Sequence, residues 1–453
     1  MATATAPAPA TSALPSIKTS GQPKAPARPY VSRWLEVQSV NSMRHAAALR
    51  PFDRKEFGTS EAAPTAGHIE AANDLLGRLR KRLIEHTRRG ADLAKAASAQ
   101  PEPRRIHALL EAKENSHTFV RTIEKIWDFY FELFGQRQGR YCDWLVSCDW
   151  IALDCYQDTF MNLGKPKSVP SPGPFSYMRT GFSPATFRRG IPLTALGKQI
   201  NPFPLIQLPY HRLINPWTLG AVLHEVSHNL QNDLGLQDII PRNIARRLLK
   251  AGFPREVATA WARWNRETYA DLSGLLLGGP AVVASLMDVV GRTPESTTAY
   301  HPVGVHPTPY IRLFLSVELL RRMGFLDEAK IFGRAWTRMY PNPRAGSIPG
   351  RLLDSLTQAV PIVVDTICYT RYETLGDKAL AEVVRFKPQH LQMMEEAAVR
   401  MARGNDPGIL PERFMIGAAR IALERKLARP GAIAEHFYRA LTKLSRLMMW
   451  LNT

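Results

Sequence analysis

Apolar residues recur at spacings of three and four along much of this chain, the period of a helix with one buried face. From His68 onward, Ile69, Ala72, Leu75, Leu76, Leu79 and Leu83 fall on one such face. The same spacing predicts a second helix over 105–113. A third carries the stripe Val120, Ile123, Ile126, Trp127, Tyr130 and Phe131, which reads as core packing rather than a binding face. Residues 1–60 show no lasting period and are rich in Ala, Pro, Ser and Thr, the pattern of a flexible arm. Over 163–215 the helical period disappears and Pro, Gly and Ser crowd together, notably at 165–174. Within that stretch, Leu205, Ile206, Gln207 and Leu208 form a short apolar run between Pro204 and Pro209. This predicts a strand, and the flanking prolines place it at a sheet edge. From 216 onward helical periods return, punctuated by Gly235, Gly252, Gly278, Gly324 and Gly376. Residues 377–453 read as further helices, including 380–386 and 411–426. The expected class is mostly α with a small β element (α+β). The expected organisation is an arm over 1–60, a helical region over 61–160, a central domain over 161–345 and a helical region over 346–453.

Composition narrows this picture without changing it. An apolar content of 45% and a charged content of 22% are ordinary for a soluble globular chain. No run reaches the roughly 18 uninterrupted apolar residues of a membrane-spanning helix, so no transmembrane segment is expected. The opening MATATAPAPATSALPS lacks a basic start and a continuous apolar block, so it is not a secretory signal. The four cysteines include no Cys-x-x-Cys pair, which argues against a zinc knuckle and fits a reducing compartment. A soluble, cytoplasmic protein is the expectation, with non-classical export left open. The net charge of +19 is carried by short clusters such as Arg78 with Arg80, Lys81 and Arg82, and by the pairs Arg188-Arg189 and Arg246-Arg247. No nucleic-acid motif accompanies them and aromatics do not interleave them, so solvated helix faces are the favoured reading over a nucleic-acid site. Weak contact with an anionic surface through these patches is the remaining partner expectation.

The chemistry concentrates after Asn215-Pro216, a helix-start signal with Asn as the expected N-cap and Pro in the first turn. The helix then carries His224-Glu225-Val226-Ser227-His228. Two histidines four apart lie one turn above each other, where both imidazoles reach one Zn²⁺ ion. Glu225 follows the first of them and is placed to take a proton from water during metal-assisted hydrolysis. A third ligand belongs downstream. Positions 231 and 234 are Gln231 and Leu234, where the metzincin pattern needs Gly and His. A helix expected to begin at Pro254 instead carries Glu267 and Asp271, four apart on one face among apolar neighbours. One of these carboxylates suits the metal; the other suits a ring N–H of a ligating histidine.

Residues 266–274, Arg-Glu-Thr-Tyr-Ala-Asp-Leu-Ser-Gly, resemble the E-x-x-A-D-x-x-G signature of gluzincin peptidases related to the CAAX prenyl protease and the heat-shock protease HtpX. His306-Pro307 followed by Arg312 resembles that family's H-P-x-x-x-x-R element, in the same chain order. The resemblance spans 216–315 and implies a zincin-like catalytic domain holding one Zn²⁺ per chain. It implies Glu267 as third ligand, Asp271 as the group orienting a ligating histidine, and His306 and Arg312 as flanking stabilisers of the tetrahedral oxyanion. The membrane helices of that family have no counterpart here, so a prenylated substrate is not implied.

Three functions compete. A zinc-dependent peptidase acting on a peptide or protein substrate needs all of these residues, with an exported effector or toxin as a variant of it. A metal-holding binding or assembly module has no need of Glu225. A polyanion-binding protein, in which the His-Glu-x-x-His segment is coincidental, predicts no stoichiometric zinc and steep salt dependence.

Overall fold

The structure, a computed structural model, describes residues 27–451 apart from Phe182. It is 70% helical with small β-sheets, the class expected from the hydropathic pattern. Contacts divide the chain into two units: one comprises residues up to Arg50 with Leu79–Arg121, the other Pro51–Arg78 with Thr122–Thr453.

The elements begin with α1 (Ala27–Ala48), α2 (Ala66–Ala99), α3 (Pro103–Gly135) and α4 (Cys142–Asn162). The flexible arm expected over 1–60 is thus helical from Ala27, and its first 26 residues lie outside the described residues. In the first unit Leu35 of α1 is buried with Ala94 and Ala97 of α2 and Leu109 of α3. The helices expected over 105–113 and 120–131 are one, α3. Nothing between them breaks a helix, and Ser116 and Thr118 turn their hydroxyls back to the carbonyls of Ala112 and Glu114.

In the second unit, β1 (Phe175–Met178), β2 (Ala185–Phe187), β3 (Pro192–Leu193), β4 (Gln199–Ile200) and β5 (Leu205–Leu208) follow. β5 is not an edge strand: it is central in the order β1-β5-β2, parallel to β1 and antiparallel to β2. Pro204 and Pro209 fall just outside the paired register, so neither removes a donor the ladder needs. The edge is β2. Ser176 N–H and the Arg137 guanidinium both bond the Asp149 carboxylate, which ties β1 to α4.

After α5 (Tyr210–Leu213) comes a 3-10 turn over Pro216–Thr218, then α6 (Gly220–Asp233). Asn215 does not cap α6; its amide bonds back to the His211 carbonyl. α7 (Ile239–Lys250) and α8 (Arg255–Arg263) lead to α9 (Asn265–Gly278). The single helix expected from Pro254 is therefore broken at Trp264, where Asn265 Nδ2 donates to the Ala262 carbonyl at the end of α8. Gly278 lies within α9, and the turn is made by Gly279 at φ +71°.

α10 (Pro280–Val290), α11 (Pro294–Thr297), α12 (Pro309–Arg322), α13 (Leu326–Met339) and α14 (Gly350–Val364) complete the surroundings of the site. The strands β6 (Arg371–Tyr372) and β7 (Lys378–Ala379) and the helices α15 (Leu380–Val383), α16 (Pro388–Ala402), α17 (Met415–Glu424) and α18 (Pro430–Leu451) end the chain. One stretch, Gly350–Tyr369, has the length and mean hydropathy (1.2) of a membrane span, but half of it is buried inside the protein, as in a core helix. Asp365 near its end is held by Arg247 at 2.7 Å and Arg322 at 3.0 Å.

α6 and α9 lie against each other at the centre of this core, whose buried side chains include Val222, Val226, Leu230, Trp261, Trp264 and Leu272. Small residues set how closely they approach. A Cβ on Gly274 would stand 3.5 Å from the His224 backbone nitrogen. One on Gly278 would meet Leu223 Cδ2 at 2.5 Å and Val282 Cγ2 at 2.7 Å. At the other end, Gln231 Nε2 donates to Asn265 Oδ1 at 3.0 Å. The two helices therefore run antiparallel, and the acidic turn of α9 faces the histidines of α6.

Candidate metal centre

Helical geometry brings the histidines together before any tertiary contact is made. His224 Nε2 and His228 Nε2 are 3.2 Å apart, one turn from each other on α6. α9 then supplies the carboxylate: Glu267 Oε2 lies 3.4 Å from His224 Nε2, and Glu267 Oε1 lies 3.5 Å from His228 Nε2. These three side chains could hold a metal ion, and they are the one such group among the described residues. The spacing tests the fit. Tetrahedral bonds of 2.0–2.1 Å have donor-to-donor edges of about 3.3 Å. The two imidazole nitrogens stand one such edge apart at 3.2 Å, and the Glu267 carboxylate straddles them, with Oε2 at 3.4 Å from His224 and Oε1 at 3.5 Å from His228. Two imidazoles and one carboxylate also form a donor set that zinc accepts.

Behind the triad stands an ordered chain of charges. His224 Nδ1 is 2.9 Å from Asp271 Oδ1. Asp271 in turn accepts both prongs of the Arg312 guanidinium, from Nε and Nη2, each at 2.7 Å. The fork fixes the carboxylate, and the carboxylate fixes the ring. His228 has no such support, because its buried Nδ1 lacks a protein partner.

The electrostatics follow from burial and these partners. Burial opposes charge on His224, but its hydrogen bonds to Asp271 and Glu267 carry its pKa up to about 10. Burial, then the charge on His224, push His228 down to about 3. Burial raises Glu225 to about 7 against the pull of His224. Burial works against the charged forms of Glu267 and Asp271 too, yet both are held below the ordinary carboxylate range. His224 outweighs burial at Glu267, and Arg312 with His224 outweighs it at Asp271.

All seven residues singled out in the sequence gather here. Glu225, His224, His228, Glu267, Asp271, His306 and Arg312 line one cavity of about 380 Å³. His306 stands at its rim, 66% exposed, with Nε2 at 3.5 Å from Glu267 Oε1. Arg312 turns its Nε and Nη2 to Asp271, so those two donors face the carboxylate rather than the open cavity.

The sequence reading missed other lining residues. Ser183, Thr186 and Arg188 come from β2 and its approaches, Arg266 from the first turn of α9, and an apolar wall from α10. Arg188 stood out only as half of a basic pair, and no local signal tied β2 to α6. That tie is tertiary: Asn229 Nδ2 donates to Thr186 Oγ1 at 2.6 Å. Among known proteins, no family model, no curated protein and no solved structure matches this chain.

Proposed function

We propose that this protein is a zinc-dependent peptidase of gluzincin type, hydrolysing peptide bonds. The observation that carries the reading is the His224, His228 and Glu267 donor triangle with an additional carboxylate, Glu225, on the same helix and in the same cavity. The resemblance of residues 266–274 and 306–312 to gluzincin motifs supports it. A bound zinc ion supplies Lewis acidity and a water of lowered pKa. His224, His228 and Glu267 hold that ion, and Asp271 with Arg312 orients His224. Glu225 accepts a proton from the attacking water at a carboxylate oxygen and returns it to the leaving amine nitrogen. Burial raises the Glu225 carboxyl above the ordinary carboxylate range, the direction that suits a group which both takes and returns a proton. His306, exposed at the rim, donates from its ring N–H to the carbonyl oxygen as negative charge develops there.

The test combines metal analysis with hydrolysis of peptide libraries, with and without a chelator. Purified protein is expected to hold one zinc per chain. Glu225→Gln is expected to keep that zinc while hydrolysis falls about 10²–10⁴-fold. Full activity in this variant would sink the mechanism, and a chain with stoichiometric zinc but no hydrolysis would favour the binding-module reading.

A further inference from the structure

The cavity around the triad is lined unevenly, and α6 gives the unevenness a direction. At the start of α6, Gly220 packs under α10 so closely that a Cβ would lie 2.7 Å from Ser285 Cβ. Here the lining is apolar: Val282, Val283, Leu286 and Val289 of α10, with Leu275 of α9. Nine residues later Asn229 bonds Thr186 of β2, a rise of about 13 Å along the helix. At this end the lining includes Arg188, just beyond β2, and Arg266, beside Gln231's partner Asn265. His224 and His228 lie between the two ends.

Among the described residues, neither arginine is paired with a carboxylate. The neighbouring Arg189 has Asp233 at 3.3 Å, whereas Arg188 donates only to the neutral Gln237 amide at 3.3 Å. Arg266 is exposed and lines the same cavity. The two cations are near enough that Arg266, after burial, lowers the pKa of Arg188. Asp233 acts on Arg188 from a distance but is ion-paired to Arg189, so two neighbouring cations with no carboxylate in contact leave a place for an anion, and guanidinium forks match a carboxylate.

Resting on the peptidase reading, we infer that the substrate is a peptide bearing a carboxylate bound by Arg188 and Arg266 and an apolar side chain seated against α10, with the scissile bond between them. An extended peptide advances about 3.3–3.6 Å per residue, so a peptide lying along that stretch of α6 places the carboxylate and the apolar residue about four positions apart. That spacing separates this inference from the general attraction of a +19 chain for acidic peptides, which fixes no position.

The test uses a random nonapeptide pool, with free or amidated C-termini, incubated at physiological salt with zinc-loaded full-length protein carrying Glu225→Gln. Retained peptides are sequenced. Enrichment of Asp or Glu about four positions from an aliphatic or aromatic residue is expected, falling about tenfold when Arg188→Gln and Arg266→Gln are added. The exposed Arg266→Gln alone, with zinc content and Tm as folding checks, gives the same direction if the double variant does not fold. Enrichment lost on amidation assigns the carboxylate to a C-terminus; enrichment kept assigns it to a side chain. Acid enrichment at no fixed spacing, an enrichment the arginine variants leave intact, or no retained peptide overturns the inference. The same pool given to the wild-type protein separates the two readings. Selective retention without hydrolysis removes the peptidase but leaves the carboxylate subsite. Hydrolysis without acid selectivity removes the subsite alone.

Discussion

In the metal-free chain His224 carries a proton at neutral pH, since Asp271 and Glu267 overcome the penalty of burial and raise its pKa to about 10. A metal needs the lone pair of that ring, so uptake must expel the proton. His228, lowered to about 3, is already neutral and releases none. Zinc binding at pH 7 is therefore expected to release at least one proton, the one on His224, and affinity to rise with pH through neutrality. Calorimetry in buffers of different ionisation enthalpy measures this directly. A binding heat independent of buffer would show that His224 is not charged in the free protein. Asp271 stands outside the three-residue donor group and bonds the far ring nitrogen of His224. It holds the ring of His224 while Arg312 neutralises and fixes it in turn.

At the scale of elements, the site depends on how closely α9 approaches α6. A side chain at Gly278 runs into Leu223 Cδ2 and Val282 Cγ2, so Gly278→Val forces the two helices apart or Leu223 off its rotamer. A loss of about 1–3 kcal/mol is expected, together with weaker zinc binding because Glu267 rides on the displaced helix. A control lies in α2, where a Cβ on Gly77 meets nothing within 4 Å. Gly77→Ala is expected to stabilise by roughly 0.5–1 kcal/mol through helix propensity alone. Thermal melts of the two variants check the contrast; equal shifts would remove the close-packing argument.

At the scale of the second unit, stability should depend on acid through a residue outside the candidate metal centre. His68 is buried, with Nε2 donating to the Gly173 carbonyl at 3.0 Å and Nδ1 accepting from Thr65 Oγ1 at 2.8 Å. Burial, helped by the charge on Arg137, lowers its pKa to about 4. The unfolded chain takes up this proton near pH 6.5 and the folded chain only near 4. The stabilisation is whole above about pH 6.5 and is lost as pH falls toward 4, roughly 3 kcal/mol in all. Urea midpoints of wild type and His68→Gln, compared from pH 7 to 4, should converge as pH falls. Parallel curves would remove His68 from the account.

How much of this was legible in the sequence follows the range of the interactions involved. The helical class, the histidine pair and the position of Glu225 depend on contacts within one or two turns, which a 3.6-residue period encodes. Glu267 and Asp271 were legible through their spacing and through the gluzincin resemblance. Local signals misjudged what depended on neighbours. The prolines around 205–208 suggested an edge but border a central strand, and the period after Pro254 ran through a break that Asn265 makes at Trp264. Only the tertiary structure set α9 antiparallel to α6, aimed Arg312 at Asp271, and brought Arg188 and the α10 wall to the cavity. Sequence alone determined which groups this protein carries on each helix. Which of them meet was decided by long-range packing, where the absence of a Cβ at Gly278 counts as much as the carboxylate at Glu267.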